Sequence, residues 1–600
     1  MKFLRRTKRE INENFLENLL IDRGILEDNE DYKNRYFNPT AKELLPPELL
    51  DNMKEGKELL EKHIKNNSTI LIIMDSDLDG VASSTIIYNY LSMLKANEGY
   101  GYTLKYLIPE GKEHGLETKM DLFLKDKAYD LIIIPDAGSN DTEECKILKD
   151  LGYDILILDH HLGSGYCQDA VIINNQLSKN YPNKALSGAG VVYKFLKYFE
   201  SNKEAKFADA FLDLVAVAHV ADCMNTNTLE NRYINKVGLS NIFNEGLRAL
   251  IKQQAYSLFR MKTEDITEDF LDNCRLTQTQ VAYYIAPLVN ALIRVGNQNE
   301  KDLLFKAFTE TYALEEIPST KRGHSNETET ISEQNARNCA NARARQNKEK
   351  EKAGELLDIQ IIEDCLDENQ ILVLHADDLN VSTTLTGLCA TEIVSRYKKP
   401  VLLGRTNSEG LFRGSVRGVS NCELTDTKQF LLDSNLMDYA EGHSQAFGFS
   451  IKEKNIPKLL EYTNTKLSEI NFNEGVYEVD FIVAGNYSKL DDLILDLTKN
   501  DGESFGQFNP EPKILVKNII LNKKGIRIVG AAKNVINFTF NNIKYVMFKA
   551  EKIIKEINGL NNKINLTVIG TPNRNEYMGN VSPQIVISDV EIKEDDYLSF

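Results

Sequence analysis

Four apolar runs in the first half of the chain end in acidic or histidine residues, and this repeated pattern limits the fold more than any other feature. The runs "TILIIM", "LIIIP" and "DILIL" are rich in β-branched side chains, which indicates buried strands. They alternate with helix-like stretches such as "TIIYNYLSMLKAN" and "DTEECKILKDLG". This alternation predicts a parallel α/β sheet. The fourth run, "LDLVAVAHVAD", follows without a turn signal and is interpreted as a helix that carries its last Asp inward.

The polar residues that follow these runs are expected to meet in space, although they span about 150 positions. The reason is that the carboxyl ends of parallel strands converge on one edge of an open sheet. Carboxylates and imidazoles without thiolates suit Mn²⁺ or Mg²⁺ better than a structural zinc. The sequence therefore predicts a metal site at this edge. Its candidate members are Asp75, Asp77, Asp79, Asp136, Asp159, His160, His161 and Asp222.

The stretch "DSDLDG", from Asp75 to Gly80, has two other interpretations. It matches the opening of a calcium loop, but the twelfth position, which must supply a bidentate carboxylate, is Ile86. A calcium loop of this type also follows a helix, whereas this stretch follows a predicted strand. A turn capped by Asp needs only one acid. Three acids at alternate positions therefore favour the metal site.

Composition bounds the class of protein. A chain of 600 residues predicts about three or four domains. No apolar run approaches the ~20 residues of a membrane helix, and the start "MKFLRRTKREINENF" becomes polar too soon for a signal peptide. The eight cysteines are scattered without a C-x-x-C pair, which fits a reducing compartment. We therefore expect a cytoplasmic protein with no membrane partner.

The formal charge of −18 argues against a nucleic-acid partner, but the charge is unevenly distributed. Between Lys513 and Lys563, eleven Lys or Arg residues stand against two acids. Short predicted strands in this segment favour a small basic β-barrel that tracks a single strand. A solvated β-domain with aromatic residues in its core is the alternative. The aromatic residues interleaved with the cations are Phe538, Phe540, Tyr545 and Phe548.

Several motifs together resemble one known family. "DSDLDG", "PDAGS", "LDHH" and "VAD", in this order, resemble motifs I to IV of the DHH phosphoesterase superfamily. "IAPLVNALIRVGN" resembles the helical part of RecJ-type single-strand exonucleases, while "FRGSVRG" and "EGHSQAFGFSI" resemble the DHHA1 domain. "FGQFNPEP" and "NEYMGNVSPQIVISDV" resemble the edges of the RecJ oligonucleotide-binding (OB) barrel. From about Asp22 onward, the chain is identified as a RecJ-like member of the superfamily.

The resemblance implies an α/β fold with a parallel-sheet DHH catalytic domain, a long bridging helix, an α/β DHHA1 domain and a C-terminal OB-type β-barrel. A stretch that is polar on nearly every face and almost free of Gly and Pro itself predicts the bridging helix. The expected divisions are an N-terminal segment at 1–45, the DHH domain at 46–327, the helix at 328–362, the DHHA1 domain at 363–470 and the OB-like domain at 471–600.

The resemblance also implies a role for each member of the metal site. Asp77 and Asp79 are expected to bind different ions of a Mn²⁺ or Mg²⁺ pair, and Asp136 to bridge the two ions. His160 and Asp222 are expected to complete the ligands of the second ion.

The remaining members have supporting roles in this interpretation. Asp75 compensates for Ile73, which stands where many relatives have a metal-binding histidine. Asp159 orients an imidazole, and His161 faces the scissile phosphate. Asn174 and Asn175, after the Asp-His-His strand, either contact phosphate or hold the loop.

Substrate contacts are expected from two further motifs. Ser415 and Arg417 can donate to a phosphate, although a surface salt bridge is the alternative for Arg417. Gly442 and His443 resemble a Gly-Gly-His turn of the superfamily, with Glu441 in place of its first glycine.

Two departures from the family concern the path of the nucleic acid. The helical motif keeps Asn290 and Arg294, but Leu288 replaces the usual Arg of a Pro-Arg pair. Gly111 replaces another usual Arg, and Lys112 is a candidate substitute for it. End preference or processivity can therefore differ from the family's usual behaviour.

The expected function is a metal-dependent exonuclease of single-stranded DNA, and the resemblance implies release of mononucleotides from the 5′ end. The pathway it serves is left open among repair, recombination and digestion of host DNA. One alternative is a DHH phosphodiesterase that acts on short RNA or dinucleotides. The other is a non-catalytic single-strand DNA-binding replication factor. The expected partners are single-stranded DNA and a single-strand-binding protein or helicase, with the chain acting as a monomer.

Overall fold

A computed structural model describes residues 2–111, 114–125, 127–163, 167–324, 326–377, 382–506, 508–560, 562–577 and 580–594. The chain divides into two compact units. The first unit comprises residues 34–349 and 506–508, and the second comprises residues 1–33, 350–505 and 509–600. None of the helices in these ranges is both long and apolar enough to cross a bilayer.

The strands alternate with helices through the first half of the chain and dominate its last third. The strands are β1 (Lys2–Arg5), β2 (Thr69–Ile73), β3 (Thr103–Leu107), β4 (Leu131–Pro135), β5 (Asp154–Asp159), β6 (Val171–Asn174), β7 (Glu316–Pro318), β8 (Thr328–Thr330), β9 (Leu372–His375), β10 (Val401–Thr406), β11 (Leu411–Arg417), β12 (Met437–His443), β13 (Ala446–Lys452), β14 (Val476–Val479), β15 (Phe481–Ala484), β16 (Ile514–Asn522), β17 (Arg527–Val529), β18 (Val535–Phe540), β19 (Ile543–Met547), β20 (Lys563–Tyr577) and β21 (Asn580–Glu594).

The helices are short, apart from two long ones at residues 78–98 and 331–363. They are α1 (Phe15–Asp22), α2 (Glu30–Phe37), α3 (Met53–Lys65), α4 (Leu78–Glu98), α5 (Met120–Lys125), α6 (Thr142–Asp150), α7 (Gly188–Phe199), α8 (Leu212–Ala221), α9 (Leu229–Gly238), α10 (Glu245–Gln253), α11 (Ala255–Phe259), α12 (Glu268–Asn273), α13 (Gln278–Gln280), α14 (Ala286–Val295), α15 (Gln298–Ala307), α16 (Ile331–Glu363), α17 (Thr386–Tyr397), α18 (Thr427–Leu432), α19 (Ile456–Lys466), α20 (Leu490–Leu497) and α21 (Glu551–Asn558).

The first unit is built on a five-stranded parallel sheet with the strand order β3-β2-β4-β5-β6. Ile72 of β2 pairs with Ile133 of β4, which in turn pairs with Leu156 of β5, so the strands are aligned across the sheet. All three side chains are buried. Strands covered on both faces appear in a sequence as continuous apolar runs. The predicted parallel sheet is therefore confirmed.

Local capping explains where the helices beside this sheet begin. The carboxylate of Asp77 accepts a hydrogen bond from the backbone N–H of Gly80 at 3.0 Å, which starts α4 just after β2. Ser187 caps α7 in the same way through the N–H of Gly190. The fourth apolar run forms α8, as predicted, and Asp222 is the residue that ends it.

Helix α9 packs closely against α8 at Gly238. A Cβ atom at this position would lie 2.1 Å from the carbonyl oxygen of Leu212 and 2.7 Å from the Cβ of Ala216. We expect Gly238→Ala to lower the melting temperature of the first unit, because such overpacking costs about 1–3 kcal/mol. Thermal unfolding followed by circular dichroism measures the effect. Gly525→Ala is the control, since a Cβ there meets nothing within 4 Å; equal melting of the two variants would contradict the close packing.

The second unit contains a five-stranded sheet, β12-β13-β11-β10-β9, and a seven-stranded sheet, β15-β16-β20-β21-β19-β18-β17. Strand β1 pairs in parallel with β14, so the start of the chain belongs to this unit. The predicted bridging helix is confirmed as α16, of which residues 331–349 belong to the first unit and residues 350–363 to the second.

The basic segment from Lys513 to Lys563 forms β16 to β19, α21 and the start of β20. Phe538 and Tyr545 are buried and stacked, with ring centroids 4.9 Å apart. For this pair, the alternative of an aromatic core is correct. Phe548, in contrast, is 60% exposed and remains available at the surface.

Candidate metal centre

The side chains predicted for the metal site surround the carboxyl edge of the parallel sheet. Asp75 and Asp77 follow β2, Asp136 follows β4, Asp159 ends β5, and His160 comes next in the chain. Asp79 lies in the first turn of α4 and Asp222 at the end of α8. The prediction that distant polar residues converge is therefore confirmed as geometry.

The imidazole of His160 is surrounded by carboxylates. Its Nε2 lies 3.2 Å from Oδ1 of Asp136, 3.4 Å from Oδ2 of Asp222 and 3.8 Å from Oδ2 of Asp79. One ligand atom from each of Asp79, His160 and Asp222 lies within 4.8 Å of the other two. These three residues can therefore share one cation.

Asp136 also belongs to a second group, with Asp75 and Asp77, whose ligand atoms again lie within 4.8 Å of one another. Its backbone has a φ of +66°, in the left-handed region that residues other than glycine rarely adopt. Such strained backbone is often found at functional sites. The helix start at Gly188 touches this carboxylate so closely that a Cβ there would lie 2.4 Å from its Oδ1. Asp136 is thus a member of this second group and also lies 3.2 Å from His160 of the first, and it forms a further group with His160 and His161.

Asp79 is fixed by the start of α7. Its two carboxylate oxygens accept hydrogen bonds from the backbone N–H groups of Gly188 at 2.7 Å and Ala189 at 2.8 Å. A helix N-terminus stabilises a carboxylate in this position. Burial nevertheless raises the pKa of Asp79, although the nearby His160 opposes the change. The sequence motif "SGAGVV" gave a signal for this contact, namely a Ser cap followed by small residues.

Asp159 holds the Asp-His-His loop rather than facing the carboxylate groups. Its Oδ1 accepts hydrogen bonds from Nδ1 of His161 at 2.8 Å and from the N–H of His160 at 2.7 Å, and its Oδ2 accepts from the N–H of Ser139. Burial opposes ionisation of Asp159, but the hydrogen bonds from His161 and Ser139 and the charges of the two histidines together outweigh it and hold the Asp159 pKa below its usual range. The hydrogen bond between Asp159 and His161 raises the pKa of His161 to about 9.

Asn174 also fixes this loop. Its Nδ2 donates to the carbonyl oxygen of His161 at 2.9 Å and to Oγ of Ser139 at 2.8 Å, while its Oδ1 accepts from the N–H of Gln176. Of the two interpretations of Asn174, the structure therefore shows the loop-holding one.

The residues fit a divalent cation. Within the ranges described above, three buried atoms of the cluster have no hydrogen-bond partner, namely Oδ1 of Asp75, Oδ1 of Asp136 and Nε2 of His160. Burial and the surrounding negative charges raise the pKa of Asp136 well above its usual value and that of Asp222 to about 8. Buried charges of this kind are costly unless they are paired or bind a metal. Oxygen and imidazole donors are those that Mn²⁺ and Mg²⁺ accept.

The residues predicted to bind phosphate lie on one sheet of the second unit. Ala446 of β13 pairs with Arg417 of β11 on one side and with His443 of β12 on the other. Directly paired residues share a face, so Arg417 and His443 lie on the same face about 10 Å apart. Ser415, two residues before Arg417, shares that face. Gly442 has a φ of +130°, a backbone conformation that other residues rarely adopt, which explains why a glycine occupies this position.

Arg417 is held mainly by its own strand. Its Nη1 donates to the carbonyl oxygen of Val416 at 2.7 Å, and burial lowers its pKa. Ser415 lies with its Oγ 3.2 Å from Oγ1 of Thr386. Arg417 forms no ion pair with any residue in the described ranges, so the salt-bridge alternative is not observed there.

The helical motif supports the acidic cluster directly. Oδ1 of Asn290 accepts a hydrogen bond from the N–H of Leu78 at 3.1 Å, which ties α14 to the start of α4. Burial lowers the pKa of Arg294, and the charge of Asp77 opposes this change. Lys112 lies outside the described residues.

The contact of His114 with the acidic cluster was not predicted from the sequence. Nδ1 of His114, in the loop after β3, lies 2.7 Å from Oδ2 of Asp75. A single histidine in a loop carries no motif, so only the fold reveals this contact.

Comparisons with known proteins give two matches to family models. The model of the DHH family N-terminal domain matches residues 69–219, and the model of the RecJ OB domain matches residues 489–589. An SPbeta prophage-derived protein of Bacillus subtilis, YorK, named as a single-strand DNA-specific exonuclease, is 34% identical over 588 residues and covers 96% of each chain. The single-stranded-DNA-specific exonuclease RecJ of Bacillus subtilis is 25% identical over 595 residues, which is 96% of this chain and 68% of the relative.

Solved structures share the fold. The structure of RecJ from Thermus thermophilus in complex with Mn²⁺ has a TM-score of 0.70 at 19% sequence identity. The match covers 99% of this chain and 80% of the solved chain. The structure of the same protein with Mg²⁺ matches with a TM-score of 0.65 at 18% identity.

Proposed function

The chain belongs to the RecJ family of DHH proteins, and on this basis we propose that it is a metal-dependent exonuclease that hydrolyses single-stranded DNA. The observation that carries the proposal is the buried cluster of carboxylates and one imidazole with unpaired ligand atoms. The similar prophage protein is named as a single-strand DNA-specific exonuclease. The RecJ of similar fold was solved with Mn²⁺ and with Mg²⁺.

Two divalent ions, Mn²⁺ or Mg²⁺, are proposed to occupy the two groups. Asp75 and Asp77 would hold one ion, and the group of Asp79, His160 and Asp222 would hold the other. Asp136 would contribute to both, since it lies in the first group and 3.2 Å from His160. When bound, such ions supply water activation and neutralise charge during in-line displacement at phosphorus.

The Asp-His-His loop supplies a proton donor in this proposal. Nδ1 of His161 is engaged by Asp159, which raises the pKa of His161 to about 9, and in this proposal the ring is cationic at neutral pH. Its Nε2–H is then the free donor, which can bind a phosphate oxygen of the strand. Asp159 would keep the ring oriented and charged while water adds to phosphorus and loses a proton to solvent, and the bond to the 3′ oxygen breaks as that oxygen takes up a proton.

The proposed domain roles follow the divisions predicted from the sequence. The DHH domain at 46–327 would carry out hydrolysis, the DHHA1 domain at 363–470 would contact phosphate, and the OB-like domain at 471–600 would bind the strand. Residues 1–45 and the helix at 328–362 would connect these parts.

The phosphate contacts are proposed for a small set of polar residues. Arg417 has donors suited to bidentate capture of phosphate and no ion pair within the described ranges that competes for them. Gly442 leaves the backbone free for close approach. The other proposed contacts are Ser415, His443, Asn290, Arg294 and Lys112.

We further propose 5′-to-3′ digestion by a cytoplasmic monomer that acts on strands exposed by a helicase or coated by a single-strand-binding protein. The cysteines in the described part of the chain are all free, which agrees with a reducing compartment.

Hydrolysis of one DNA oligonucleotide, labelled at either the 5′ or the 3′ end, tests the proposal. In Mn²⁺, we expect the 5′-labelled strand to release labelled mononucleotide from the first turnover, while the 3′-labelled strand shortens first and releases its label last. The same oligonucleotide annealed to its complement is the control and should stay intact. Strands that remain intact but bound would instead support a replication factor. Neither cleavage nor binding would direct attention to short RNA and dinucleotides.

A further inference from the structure

The loop after β3 places a histidine directly on the metal centre. Nδ1 of His114 donates a hydrogen bond to Oδ2 of Asp75 at 2.7 Å, because an ionised carboxylate can only accept. The other oxygen of Asp75, Oδ1, is buried and has no hydrogen-bond partner among the described residues. That oxygen belongs to the group formed with Asp77 and Asp136.

The two oxygens of Asp75 therefore have different roles, since Oδ2 binds His114 and Oδ1 faces the carboxylate group. A carboxylate whose Oδ2 is held by a hydrogen bond can no longer rotate freely about its terminal torsion. Its Oδ1 is then kept in one direction, and burial excludes water as an alternative partner for it. Ligands that are oriented in advance bind a metal more tightly, and loss of such an outer contact typically costs about 10–100-fold in metal affinity.

The chain next to His114 is itself anchored. Gly115 has a φ of +63°, and a Cβ there would lie 2.1 Å from Oδ2 of Asp141. The N–H of Leu116 donates to that same carboxylate oxygen at 2.7 Å, and the side chain of Leu116 is buried in the core beside the sheet. The histidine is thus attached to a fixed backbone, although half of its own side chain is exposed.

We propose that His114 is a positioning residue that orients Asp75 toward a divalent ion. The inference rests on the proposed function, because it concerns the same metal centre. The imidazole comes from the loop after β3 and acts through the carboxylate of Asp75.

Calorimetric titration of the full-length, metal-free protein with Mn²⁺ tests the inference without relying on activity. We expect His114→Ala to bind one of its two Mn²⁺ ions about 10-fold less tightly than the unsubstituted protein does. His114→Asn should recover most of the affinity, because the side-chain amide nitrogen of Asn lies close to the position of Nδ1. Adding His114→Ala to Asp75→Asn should cause no further loss, since His114 acts only through Asp75.

His324 offers a matched control. Its side chain is 51% exposed, like that of His114, and its Nδ1 lies 2.8 Å from a carboxylate oxygen of Glu327. His324→Ala should therefore leave Mn²⁺ affinity unchanged. Circular dichroism in chelator would show whether each variant is folded. If His114→Ala does not fold, His114→Asn can still be tested.

Two results would contradict the role of His114 without contradicting the proposed function. One is a Mn²⁺ affinity of His114→Ala equal to that of the unsubstituted protein. The other is an equal loss of Mn²⁺ affinity in His114→Asn and His114→Ala. If the unsubstituted protein itself binds no Mn²⁺, the proposed function fails, and the inference fails with it. The two failures are therefore distinguishable.

Discussion

Asp136→Asn is expected to reduce hydrolysis of single-stranded DNA by at least about 100-fold in saturating Mn²⁺. The substitution keeps the shape of the side chain but removes the charge that lies in one carboxylate group and 3.2 Å from His160 of the other. Initial rates of nucleotide release measure the loss. The loss should appear in the catalytic rate constant rather than in binding of the strand, because the proposed phosphate contacts elsewhere in the chain are unchanged.

A measurement of thermal stability distinguishes activity lost through the missing charge from activity lost through misfolding. Burial raises the pKa of Asp136, so its ionised form opposes folding at neutral pH, and removing the charge should not lower the melting temperature in chelator. Asp150→Asn, at the exposed end of α6, is the control and should retain full activity. An Asp136→Asn protein with more than a tenth of the original rate would contradict the shared role of this carboxylate.

Chelation of divalent ions is expected to abolish activity completely, and added Mn²⁺ to restore it. Without a cation, burial and then the mutual repulsion of the carboxylates raise the pKa values of Asp136 and Asp222. A polyanionic strand would meet the same repulsion. Product release after treatment with EDTA, and after dialysis into Mn²⁺, measures both parts of the prediction.

The melting temperature in the presence and absence of Mn²⁺ tests the same metal requirement. A ligand that binds only the folded protein stabilises it by about 2.7 kcal/mol at a concentration 100 times its dissociation constant. Mn²⁺ should therefore raise the melting temperature of the unsubstituted protein and raise that of Asp136→Asn much less. Full activity in excess EDTA, or an equal thermal shift in both proteins, would contradict the metal requirement.

The metal cluster could be predicted from the sequence because each part has a local signature. The runs before Asp75, Asp136 and Asp159 are continuous apolar strands, and parallel strands bring the residues after them to one edge. Asp222 could be placed because its run lacks a turn signal before it and so forms a helix. The pattern of acids at these four ends was sufficient to predict which residues the structure brings together.

Other features depend on contacts that no local pattern encodes. The pairing of β1 with β14 joins residues more than 470 positions apart, so it is fixed only by the finished fold. Phe538 and Tyr545 alternate with cations in the sequence, yet they stack in the core, because alternation along a strand says nothing about what covers each face. His114 reaches Asp75 only because β3 lies beside β2 in the sheet.

Anomalous X-ray diffraction from crystals grown in Mn²⁺ would test the assignment of the metal centre, since it locates each ion independently of activity. We expect two Mn²⁺ peaks at the carboxyl edge of the parallel sheet. One should contact Asp75, Asp77 and Asp136, and the other should contact Asp79, His160 and Asp222 as well as Asp136. Crystals with no Mn²⁺ at these residues, or with Mn²⁺ bound only elsewhere, would contradict the assignment of this cluster as the metal centre.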